Sequence, residues 1–267
     1  MTSPAPSFFE PEQGLKLVSY EQPLTERMRT FLRLEFLFRQ VSHHSAGQST
    51  WETRAAVASL LDVLAIVTRA DVRKDVLHEL ERYASDLQQF RARPGVDNAR
   101  LAAVLASVES LRDQLNGCHK QLARRLADCD FLSSVRHRST IPGGTCEFDL
   151  PDYSHWLNRT YDRRRNDFNK WLEYLRPLRD AVNKLLWLTR EGAPPVELVA
   201  IGGMYQHVLA RKSGTQLLRV SLPEMADVYP EISGNQHRFT VRFQQWGDIG
   251  IRPSQTGEDV TFYLACC

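Results

Sequence analysis

The main change of hydrophobic period along the chain falls at "REGAPPVE", Arg190 to Glu197. Before this point large apolar residues recur every three or four positions, the repeat of a helix with one buried stripe. After it they alternate with polar residues, the repeat of a half-buried strand. One segment cannot satisfy both repeats, so the reading is an α+β chain: a mainly helical domain over 22–195, built from antiparallel helical hairpins, then an antiparallel β-sheet domain over 196–267. Residues 15–21 read as an additional strand, and residues 1–14, rich in Pro and Ser, as a flexible arm. With 42% hydrophobic and 25% charged residues the rest is globular.

Local signals punctuate the helical part. Thr25 is placed to cap a first helix, and Ser49 with Glu52 forms a capping box for a second. Val76, Leu80, Tyr83, Leu87 and Phe90 make one seam; Leu101, Val104, Val108, Leu111 and Leu115 make another. "RPGVD" separates them and Asp97 caps the later helix, which predicts a hairpin. The seams are long enough that they serve either the hairpin itself or a bundle completed by a second copy, a homodimer. Asp152 is placed to cap a short helix, and Pro177 sits in the first turn of the last one. Beyond "APP", four stretches read as strands: "GGMYQHVLA", "TQLLRVSL", "HRFTVRFQQW" and "VTFYLACC". "RKSGT" reads as the turn of a hairpin joining the first two.

The bulk properties exclude several classes. Net charge is +2, which by itself is not a nucleic-acid-binding balance and excludes only the extremes of charge. No apolar run approaches the ~18 residues of a membrane span, and no secretory signal is visible, so the expected location is cytoplasmic. Five cysteines, Cys118, Cys129, Cys146, Cys266 and Cys267, follow no ligand or disulfide pattern and read as free thiols. Walker, dinucleotide-binding, GxSxG, HExxH and CxxC motifs are all missing. "IPGGT" has no following lysine and reads as a turn. His43-His44, and Cys118-His119 with Cys129, lack the partners of a metal site. The expectation is a protein without catalytic residues, cofactor or metal.

What the chain does carry is arginine. Arg27, Arg29, Arg33 and Arg39 lie on the first helix among Phe31, Phe36 and Phe38. Arg29 and Arg33 share a face, an arrangement unfavourable by roughly 0.2–0.5 kcal/mol unless something answers it. For Arg33 that answer is either an acid elsewhere in the chain or an external partner. "VRHR" and "RTYDRRR" are further clusters, the second read as a solvated face because acids flank it. Arg69 falls at a helix C-terminus, where a cation is favoured anyway. Arg219, Arg238 and Arg242 are expected on one outer sheet face, on neighbouring strands with no acid among them. Such a face suits an acidic peptide or a nucleic-acid backbone, and charge alone does not separate the two.

Three stretches, "YEQPLTERMRTFLRLEFLFRQ", "RHRSTIPGGTCEFDLPDYSHWL" and "YPEISGNQHRFTVRFQ" with the later "DVTFYLACC", together resemble the ZapD family of cell division proteins. The resemblance covers nearly the whole chain after residue 15. It implies a helical domain plus a β domain, a symmetric homodimer, no enzymatic activity, and binding to the acidic and apolar C-terminal tail of FtsZ at the mid-cell division ring. Carried onto this sequence, it implies tail binding by Arg33, Arg69, Arg238 and Arg242, with Arg136 and His155 as further candidates. The other reading of the same arginines is a cytosolic nucleic-acid-binding regulator, although no helix-turn-helix or RNA-binding motif is present.

Overall fold

The computed structural model of the chain describes residues 16–69, 71–91, 95–117, 126–210 and 214–267. These divide into two compact units: Thr30–Leu185, and Met1–Arg29 together with Leu186–Cys267.

The first unit is helical. Its described helices are α1 (Glu26–Ser45), α2 (Thr50–Arg69), α3 (Val72–Phe90), α4 (Asn98–Gly117), α5 (Asp130–Arg138), α6 (Pro151–Leu157), α7 (Tyr161–Glu173) and α8 (Arg176–Glu191), the unit boundary falling inside α1 and α8. Their starts follow from single side chains. Thr25 Oγ1 accepts from the Met28 N–H at 3.1 Å. The Glu52 N–H donates to Ser49 Oγ at 3.1 Å while the Ser49 N–H donates to Glu52 Oε2 at 2.9 Å, the reciprocal bonds of a capping box. Asp97 Oδ1 accepts from the Ala99 and Arg100 N–H groups, both at 3.0 Å. At α6 the expected cap is displaced. Pro151 occupies the first position, which its missing N–H suits, so Leu150 precedes the helix and Asp152 lies within the first turn.

Helices α3 and α4 form the predicted antiparallel hairpin. Val76 and Leu80 on one, and Leu101, Val108 and Leu115 on the other, are buried. Arg73 Nε, in the first turn of α3, donates to the Leu115 carbonyl near the end of α4 at 3.0 Å, which fixes the opposite sense of the two. Helices α5, α6 and α7 are held by rings: Phe131 lies 5.9 Å from Tyr153, 5.4 Å from Trp156 and 5.8 Å from Trp171. Burial pushes the Tyr153 hydroxyl up to about 12.

"DRRRND" is not the uniformly solvated face expected of it. Arg164 is only 6% exposed. Its guanidinium donates to Thr53 Oγ1 (3.2 Å) and to the carbonyls of Leu157 (2.8 Å), Arg159 (2.5 Å) and Gln48 (2.6 Å). Consecutive helical residues point about 100° apart, so three successive arginines cannot all face solvent on a helix that packs one side.

The second unit holds the strands β1 (Leu17–Pro23), β2 (Val196–Ala200), β3 (Met204–Val208), β4 (Leu217–Pro223), β5 (Val228–Gly234), β6 (Arg238–Gln245), β7 (Ser254–Gln255) and β8 (Val260–Cys266). They form two antiparallel sheets rather than one. The first has the order β1-β4-β8-β2; the second has the order β3-β6-β5, with β7 also on β6. One core serves both. Leu218, Val220 and Leu222 from β4 and Phe262 and Leu264 from β8 cluster with Phe239, Val241 and Phe243 from β6, and the Phe243 and Phe262 rings stand 5.1 Å apart. The expected hairpin at "RKSGT" is absent: β3 pairs with β6, and β4 pairs with β1 and β8. Periodicity identifies a strand but not its partner. Between β3 and β4 the chain passes from one sheet to the other.

Candidate functional site

Strand β6 sorts its side chains cleanly. Phe239, Val241 and Phe243 enter the core at 2%, 0% and 0% exposure, and the alternation turns Arg238, Thr240, Arg242 and Gln244 outward. Two glycines set the strands beside it. Gly203 adopts φ +72°, and a Cβ there would lie 2.4 Å from the Thr256 carbonyl oxygen, so only glycine makes the turn into β3. A Cβ on Gly234 would lie 2.5 Å from the Phe239 Cβ, so the turn from β5 into β6 also excludes side chains. There Asn235 Oδ1 accepts from the His237 and Arg238 N–H groups at 2.9 and 3.1 Å, which fixes the start of the arginine-bearing strand.

Register defines the neighbours of each arginine. Val208 stands directly opposite Arg238, and Met204 opposite Arg242. On the other side Glu231 stands opposite Arg242 and Ser233 opposite Thr240. Glu231 makes its hydrogen bond to Gln244, Nε2 to Oε2 at 3.2 Å. Val208 is 77% exposed and Met204 40%. Beyond the strand's end Trp246, in phase with the arginines and 70% exposed, faces Tyr229 at 6.3 Å. The outer face of this sheet is therefore an open cationic ridge with an apolar strip on the β3 side and one carboxylate on the β5 side. Arg238 and Arg242 are exposed and make no ion pair among the described residues.

Arg219 does not join them. It lies on β4, in the other sheet, where its Nε is 3.2 Å from Glu21 Oε1. Arg190 holds the same carboxylate through two bonds of 2.8 Å. Glu21 and Arg219 are direct cross-strand partners between β1 and β4, so an acid far away in sequence neutralises a cation that reads as free. Glu231 likewise stands among the arginines where no acid was expected.

The remaining candidates lie on the helical unit. On α1, Arg39 pairs with Glu35 at 2.9 Å and Arg29 with Glu26 at 3.3 Å. Arg33 is exposed and unpaired among the described residues, beside Phe36 at 60% exposure. Arg69 is the exposed last residue of α2. Arg136 is half-buried on α5 and unpaired among the described residues, while its neighbour Arg138 pairs with Asp149 at 3.4 Å. His155 is exposed on α6, with its Nε2 3.1 Å from the Arg159 guanidinium. Met204, Val208, Tyr229 and Trp246 are the surface residues that sequence reasoning passed over. Their signal was the phase: Met204 and Val208 share parity within β3, and Trp246 shares that of Arg238 and Arg242.

Cys118 and His119 lie outside the described residues. Among the described residues no cluster of His, Cys, Asp and Glu has the makings of a metal site, and no helix is long and apolar enough to cross a membrane.

Comparison with known proteins is consistent from end to end. The family described as ZapD, cell division protein, matches residues 32–242. The cell division protein ZapD of Methylococcus capsulatus is 40% identical over 250 residues, 94% of this chain and 98% of that protein. Those of Azoarcus sp. and Ralstonia pickettii are 36% and 39% identical, over 94% of this chain and 99% of their own lengths. The family match begins one residue before Arg33 and ends on Arg242, so it runs through both units and takes in all six candidate residues: the chain belongs to the ZapD family of cell division proteins.

Proposed function

We propose that this protein acts in cell division without catalysis, by binding the C-terminal tail of FtsZ on the outer face of the β3-β6-β5 sheet. The observation that carries the reading is the pair of exposed, unpaired arginines, Arg238 and Arg242, each set beside an exposed apolar residue. A tail that joins acidic and apolar residues fits both parts. Arginine's planar fork binds carboxylates through two parallel bonds. Arg33 with Phe36 repeats the combination on a smaller scale and is proposed as a further contact, as are Arg69, Arg136 and His155.

The protein is proposed to work as a homodimer in the cytoplasm, at the mid-cell ring. A twofold dimer offers two identical tail sites, and an FtsZ filament presents many tails. A second contact at high effective concentration raises avidity by roughly 10²–10⁴, enough for individually weak contacts to bundle filaments. The test is co-sedimentation with FtsZ polymers. Binding to full-length FtsZ and loss of binding to FtsZ lacking its tail is the expected result; equal recovery with both polymers would refute the reading.

A further inference from the structure

The spacing of the two arginines carries information about the shape of what they bind. They stand four residues apart on a strand, so their Cα atoms are separated by ~13–14 Å. A ligand that satisfies both must place two negative groups at that separation. In an extended peptide this is a spacing of four residues. In an α-helix, at about 1.5 Å rise per residue, it is a spacing of about nine.

The flanking residues fix which side the ligand occupies. Glu231, opposite Arg242 on β5, repels an acidic chain from that side. Met204 and Val208, opposite the two arginines on β3, offer apolar contact on the other. Strand β3 is also an edge of its sheet, with β6 its one strand partner; the Met204 N–H is taken by the Ile201 carbonyl at 3.2 Å, and beyond that point an extended chain running beside β3 has access to backbone groups.

We propose that the site selects an extended peptide, bound over the β3 side of β6, with two acidic residues at positions i and i+4 and apolar residues near them. This rests on the sheet face being the tail site, and adds to it the conformation and acid spacing of the ligand. It also assigns Glu231 as the residue that sets the ligand's side.

The experiment uses fluorescein-labelled synthetic peptides of one composition, each with two glutamates and the remainder alanine, valine and serine. Glutamate spacings of two, four, six and nine are compared by anisotropy against the full-length protein. The expected result is that spacing four binds about three- to fivefold more tightly than two or six, the scale of one exposed ion pair. The preference should vanish in Arg238→Ala and in Arg242→Ala, each of which leaves one cation. Glu231→Gln should tighten the spacing-four peptide. Equal binding at all spacings, still lost in the Arg238→Ala/Arg242→Ala double variant, overturns the extended geometry while leaving the sheet site standing. A preference for spacing nine overturns it in favour of a helix. Binding indifferent to both arginines sinks the geometry and the sheet site together. No binding by any peptide, or tighter binding of a single-stranded 15-nucleotide DNA than of every peptide, also overturns the proposal.

Discussion

Arg164 carries its charge into the helical unit with no carboxylate partner among the described residues, held instead by three carbonyls and a hydroxyl. Removing it leaves the Leu157 carbonyl without that donor and the Thr53 hydroxyl without its guanidinium partner, both in buried surroundings. Arg164→Ala should therefore lower stability by on the order of 3 kcal/mol in urea unfolding, and Arg164→Lys, which lacks the fork, should recover only part. The sequence showed the three arginines but not which turns inward, because its acceptors on Gln48, Leu157 and Arg159 are carbonyls, which every residue has. Glu52 was legible, since its bond is to a residue three positions away. The Ser49 hydroxyl and N–H hold its carboxyl below the usual carboxylate range. The sign follows: the contribution is present above the unfolded-state pKa and is lost as pH falls through the depressed folded one. In Glu52→Gln the fall in thermal midpoint on acidification should be shallower than in the parent. Burial pushes the Cys266 thiol up and the Cys267 thiol up to about 11. Iodoacetamide at pH 8 should modify both more slowly in the native protein than after unfolding, and Cys267 should gain reactivity as pH approaches 11.

Among elements, the helices were readable and the sheet only half so. Caps and seams are local: Thr25, Ser49 and Asp97 act within three residues of themselves, and the α3–α4 hairpin needs only two adjacent stripes. Strand pairing is not local. The alternation in β6 correctly sorted Arg238 and Arg242 from Phe239, Val241 and Phe243, yet nothing in the alternation of β4 says that it lies in the other sheet with Glu21 against Arg219. The cationic face was thus read with one arginine too many and one glutamate too few. The sorting itself supports a sharp test. Arg238→Glu with Arg242→Glu should abolish co-sedimentation with FtsZ, while thermal stability changes little, since exposed substitutions of this kind usually fall within about 0.5 kcal/mol each. Normal co-sedimentation by the double variant would remove the sheet face from the proposal.

For the molecule as a whole, the proposed partner contact is electrostatic at its cationic points and apolar beside them. Exposed charge pairs are screened over about 8 Å at physiological ionic strength, whereas Phe36, Met204 and Val208 are indifferent to salt. FtsZ binding should weaken between low and moderate salt toward a residual level, and Arg33 variants should rank parent, Lys, Glu in strength, with circular dichroism confirming that each is folded. Light scattering at micromolar concentration should return twice the 30.6 kDa of one chain; a value near 30.6 kDa would end the dimer reading. The order in which the chain is made has its own bearing on the β unit. Ser19 meets Ser221 across β1 and β4, their hydroxyls 2.7 Å apart and their positions 202 apart. At cellular rates of about 5–20 residues per second, β1 leaves the ribosome about 10–40 s before its partner strand exists. Thr30–Leu185 is complete in that interval and is free to fold, whereas the β unit waits for both ends of the chain. One edge of β4 is closed by β1 and the other by β8, the strand made last, and until both are seated β4 shows a bare hydrogen-bonding edge. Slow synthesis or a damaged β1 would lengthen that exposure, and aggregation of nascent chains through β4 is where the fault would surface.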